Sequence, residues 1–115
     1  MDLSYLDELS QEDFYESLMD LADNTQYTDI RHDENLVHGC QSKVWLVLDN
    51  EQILFDSDSL FVKGLITAVV SQLATLEEMK NVKISDYSFI NLNKITYQRI
   101  KGIDSFINKL NKLAS

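Results

Sequence analysis

The sequence predicts an α+β fold in which a small antiparallel sheet packs against several helices. Three observations lead there. Residues 43–48 and 52–55 are rich in β-forming and apolar side chains and flank the turn Asp49-Asn50-Glu51, the pattern of a β-hairpin. Apolar residues recur at helical spacing both before and after that hairpin. The chain has no proline and only three glycines, so regular elements make up most of it.

Taken in order, Leu3, Leu6 and Leu9 sit three apart and predict a helical turn or two. Ser10 followed by Asp13 reads as an N-cap with an acid at N3. It opens an amphipathic helix over residues 11–23, with Phe14, Leu18, Leu21 and Ala22 on its apolar face. Residues 24–35 are polar and aperiodic and read as a loop. Val37 and its neighbours suit a short third strand beside the hairpin. Ser57 or Asp58 is the expected N-cap of a helix over residues 60–73. That helix is apolar on nearly all sides apart from Lys63, Thr67, Ser71 and Gln72, so it should be central and buried. Gly64 lowers its helix propensity, and close packing against the sheet is the expected reason. Thr75 with Glu78 opens a short helix. Residues 81–93 show no clear period. Thr96 caps a final helix whose stripe is Ile100, Ile103, Ile107, Leu110 and Ala114. No repeat, low-complexity segment or linker interrupts the 115 residues, which read as one domain.

Composition narrows the function classes. Net charge is -9 and uneven. Residues 1–35 hold eleven acids and a single base, Arg31, whereas the remainder is close to neutral. A phosphate backbone needs a positive surface, so nucleic-acid binding is disfavoured. The acidic N-terminal part either keeps a solvated face or steers docking onto a basic partner. One cysteine excludes an internal disulfide and a structural zinc site. No secretory leader is legible, so the cytoplasm is the expected compartment. The longest apolar run, around Thr67, is too short to span a bilayer.

Few residues invite chemistry. Cys40 lies in Gly39-Cys40-Gln41-Ser42, a polar break before a strand. Cysteines most often fill apolar interiors. A polar loop with free backbone N–H groups suits a reactive thiolate. The residue pattern alone leaves both readings open. His38 precedes Cys40 by two positions, so in an extended segment both side chains share a face. A neighbouring imidazolium would favour the thiolate; the plainer reading is a solvated loop residue. The pair falls short of a hydrolase, which needs a third group to orient the base. His32, Asp33 and Glu34 match no compact metal site with His38 and Cys40. Gly39, Gly64 and Gly102 are too far apart to cradle a phosphate. Asp56 and Asp58 are either a carboxylate pair or, as strand-to-helix junctions favour, helix caps.

The string Val37-His38-Gly39-Cys40-Gln41-Ser42-Lys43-Val44-Trp45-Leu46 resembles the active-cysteine signature of the SufE-like sulfur acceptors, a family that includes CsdE. A second block, Asp56-Ser57-Asp58 followed by Val62-Lys63-Gly64-Leu65, resembles that family's Ser-Asp and basic-Gly-Leu at the same offset. A third, Ile95-Thr96 through Arg99 to Gly102-Ile103, is similar to its C-terminal motif, with Tyr97 where the family has proline. The resemblance implies an α+β fold similar to the IscU-type iron–sulfur scaffolds, with Cys40 at a loop tip. It implies that Cys40 takes persulfide sulfur from a SufS- or CsdA-like cysteine desulfurase, stimulates that enzyme, and passes sulfur on for iron–sulfur cluster assembly. The pyridoxal phosphate would belong to the partner, with no cofactor or metal on this chain. Gly39 would permit the loop's bend, Gln41 or Ser42 would hydrogen-bond within it, and Asp58 and Arg99 would lie near it. The competing readings are a partner-binding module in which Cys40 only packs, and a thiol redox sensor. Trp45 is expected in the core rather than on the contact surface.

Overall fold

The computed structural model describes residues 3–22 and 27–115. It is α+β, as the sequence predicts. A short 3-10 turn, Ser4–Glu8, leads into helix α1, Gln11–Ala22. Asp13 N–H donates to Ser10 Oγ at 3.2 Å, so Ser10 starts this helix as its sequence implies. Residue 23, the last of the expected helix, lies outside the described residues, as do 24–26 of the expected loop. The rest of that loop is not shapeless: 3-10 turns form at Thr28–Ile30 and Asp33–Asn35.

Strands β1, Val44–Asp49, and β2, Gln52–Ser57, form one antiparallel hairpin in which Leu46 faces Phe55 and Val44 faces Ser57. Asn50 takes φ 57° at the turn, a conformation that Asn tolerates better than most residues. The expected third strand reduces to a single bridge, Leu36 to Trp45, with Val37 N–H donating to the Val44 carbonyl at 2.8 Å. The backbone turns at His38 and Gly39 and leaves the ladder there.

β2 runs two residues past its expected end, to Ser57, and this moves the helix cap. Ser59, not Ser57 or Asp58, caps α2, Leu60–Val70, by accepting from Val62 N–H. The helix stops three residues short of residue 73, where the Ser71 hydroxyl turns back to the Ala68 carbonyl. Its burial is as expected: residues 61–66, Ala68 and Val69 are all buried. The reason for Gly64 differs from the expectation. A Cβ there would sit 2.0 Å from the Leu18 carbonyl oxygen, so the close neighbour is the α1 backbone and not the sheet.

Thr75 and Glu78 complete the capping box of α3, Leu76–Asn81. Residues 81–93 then settle into a 3-10 turn, Ile84–Asp86, and further turns that bury Tyr87 and Phe89. Thr96 caps α4, Tyr97–Ala114, whose Ile103, Phe106, Ile107 and Leu110 face the core. α1 packs on α2, α3 on α4, and the hairpin on both α2 and α4. One contiguous apolar cluster joins all of these elements, and Trp45 lies within the buried set.

Candidate functional site

Cys40 sits half-buried where its loop meets α4. The bend that places it is made by Gly39, whose φ of 100° is open to glycine and strained for other residues. A Cβ on Gly39 would also press against Ser105 Oγ at 2.6 Å. The thiol donates to the Gly102 carbonyl across 3.2 Å. Gly102 makes that approach workable, because a Cβ there would stand 3.3 Å from Sγ. Burial pushes the Cys40 thiol above its ordinary pKa, so the resting form is the thiol.

Beside the sulfur lies a small cavity of about 70 Å³. Val44, Val62, Ile66 and Ile103 supply its apolar wall, and Gln41, Ser42, Gln98 and Arg99 complete the lining. The guanidinium of Arg99 stacks 4.4 Å from the Phe61 ring centroid, which fixes the side chain at the cavity. The arrangement is therefore one soft nucleophile, one weak hydrogen bond, an apolar recess and one cation.

Of the residues singled out in the sequence, Cys40, Gln41, Ser42 and Arg99 converge on this cavity. His38 does not. It is exposed and lines a separate hollow with Ser105 and Lys109, because the Gly39 bend breaks the extended alternation that would have put it beside Cys40. Among the described residues, the side chains of Gln41 and Ser42 make no hydrogen bond within the loop. The loop is closed from outside instead. Lys43 N–H donates to Asp58 Oδ1 at 3.0 Å, and Ser57 Oγ–H donates to the Lys43 carbonyl at 2.8 Å. Asp58 is thus a loop anchor and not a helix cap.

Asp56 is neither a cap nor half of a carboxylate pair. It is buried at 1% exposure between two cations, with Arg31 Nε at 2.8 Å and Lys63 Nζ at 3.3 Å. Burial opposes its ionisation, but hydrogen bonds from Arg31, the Ser57 N–H and Lys63 outweigh it and hold the carboxyl below its ordinary pKa. Sequence reasoning missed Arg31 and Lys63 as site-supporting residues. A signal existed for each: a lone base among eleven acids, and a lone charge in an apolar helix.

A larger hollow of about 550 Å³, lined by Leu73, Val82, Tyr87 and Phe89 among others, contains none of these residues. Its carboxylates have local roles: Asp7 accepts from Ser88, Glu78 closes the α3 capping box, and Asp86 accepts from Lys83 N–H. Among the described residues no three His, Cys, Asp or Glu side chains are grouped to hold a metal, and no helix is long and apolar enough to cross a membrane.

Fold and site together define a small α+β domain organised around a single sheltered thiol. Residues 3–114 match the family model described as SufE: Fe-S metabolism associated domain. The chain belongs to the SufE family, whose domain is associated with iron–sulfur metabolism.

Proposed function

We propose that Cys40 is a persulfide carrier that accepts sulfur from a cysteine desulfurase, activates that enzyme, and releases the sulfur to an acceptor in iron–sulfur cluster assembly. The observation that carries this reading is the half-buried thiol beside a small apolar recess, in a chain of this family. The chemistry is that of thiol–disulfide exchange. Cys40 first loses its proton. Its thiolate then attacks the outer sulfur of the partner's persulfide, a new S–S bond forms on Cys40, and the partner's thiolate leaves with the electron pair of the broken S–S bond. The proton count balances when that thiolate is reprotonated. Pyridoxal phosphate would be the partner's cofactor and would supply the activation that lets a thiol of that enzyme take sulfur from cysteine; no residue of this chain is assigned to hold it.

The raised pKa of Cys40 suits storage more than attack. Docking would therefore have to draw the sulfur off the Gly102 carbonyl, away from its apolar wall, before it reacts. Having no second cysteine on the chain also fits, because a neighbouring thiol would resolve the persulfide to a disulfide. Mass spectrometry tests the proposal. After incubation with a cysteine desulfurase and cysteine, the protein should gain one or more sulfur atoms on Cys40. Cys40→Ala should take up none and should no longer stimulate the enzyme. Full stimulation by Cys40→Ala would overturn the reading.

A further inference from the structure

We propose that Arg31 is a positioning residue for the Cys40 loop, acting through Asp56 and Ser57 to fix where the loop leaves the cavity. This rests on the reading of Cys40 as the sulfur carrier. Lys63 is 4% exposed and already gives Asp56 a counter-ion. One carboxylate and one ammonium are neutral together, so Arg31 does more than balance the charge of Asp56. Arg31 is also the exposed member of the group, with 38% of its side chain open to solvent. Its value lies in what it connects.

Its Nε–H donates to Asp56 Oδ2 and its Nη2–H to the Ser57 carbonyl at 3.3 Å, while the guanidinium lies 4.7 Å from the Trp45 ring centroid. Those contacts join the segment ahead of the loop to both strands of the hairpin. Asp56 Oδ1 in turn accepts from Ser57 N–H at 2.9 Å. Ser57 is therefore held at its N–H, at its carbonyl and by strand pairing. Its hydroxyl then has a fixed direction, and it donates to Lys43, the residue that ends the loop. The chain from Arg31 to Lys43 passes through four hydrogen bonds. A lysine at position 31 would preserve charge and lose both the fork and the stacking plane.

The test is the rate at which Cys40 of the native protein reacts with iodoacetamide, which needs no desulfurase. Arg31→Ala should react roughly fivefold faster, the change expected when a local restraint as strong as one hydrogen bond is lost. Arg31→Lys should fall between it and the wild type. Ile107→Val, a small deletion on the buried face of α4 outside the cavity lining, serves as a control for general destabilisation. The proposal is overturned if Arg31→Ala reacts at the wild-type rate, if Arg31→Lys restores it fully, or if Ile107→Val accelerates the reaction as much. Should Arg31→Ala not fold, Arg31→Lys against the same control decides alone. Because alkylation is read directly, a negative result here is distinct from a failure of sulfur transfer.

Discussion

Two polar centres lie at the two ends of the segment from Cys40 to Asp58, and they are built on opposite principles. The Asp56 centre has three charges, short bonds and almost no solvent on the carboxylate. The Cys40 centre has one neutral thiol, one weak hydrogen bond and space beside it. The difference separates fixing from holding. Charged contacts fix the frame into which the loop is tied, whereas the sulfur is held by one weak hydrogen bond and an apolar wall.

The sharpest way to break that contrast is to remove one partner from each centre and compare stability. Asp56→Asn leaves Lys63 buried without its counter-ion and should cost about 3–5 kcal/mol in urea unfolding at neutral pH. Cys40→Ala removes one weak bond and should change stability by less than about 1 kcal/mol. Equal costs would mean that the thiol is as structural as the triad. The acid limb carries the same information. Since the folded carboxyl of Asp56 titrates below its ordinary value, its contribution is present above the unfolded carboxylate pKa. It is lost as pH falls through the folded pKa, and Asp56→Asn should lack that loss.

A smaller effect is expected at Gly102. Gly102→Ala crowds Sγ while gaining helix propensity of about 1 kcal/mol in α4. Thermal stability should hold or rise slightly, and Cys40 should alkylate faster because its seat on the carbonyl is disturbed. Slower alkylation would show that the added methyl shields the sulfur instead. The smallest effect concerns the wild type alone. Burial raises the Cys40 pKa, so the midpoint of its alkylation–pH curve should lie above that of an exposed cysteine. A midpoint at or below the ordinary value would mean that a hidden cation activates the thiol at rest.

What could be read from the sequence was local. Thr75 with Glu78, and Thr96 with its apolar stripe, mark helix starts through residues three or four apart, and both stand in the structure. Ser59 escaped because Ser57 and Asp58 are equally good caps, and only the length of β2 decides among them. Arg31 escaped for the same kind of reason, since its partner is 25 residues away. The position of Cys40 was legible from its loop and its family pattern. Its shelter was not, because most of the wall comes from α2 and α4 and the hydrogen-bond acceptor lies 62 residues on. His38 shows the converse: strand alternation is a sound rule until a glycine with positive φ interrupts it.

That separation of 62 residues has a consequence for biosynthesis. A ribosome adding about 5–20 residues per second needs several seconds to reach Gly102 after Cys40 has been made. Throughout that interval the sulfur has no carbonyl to rest on and only part of its wall. The nascent chain therefore passes through a stage in which its one thiol is open to passing electrophiles, and docking of α4 ends it.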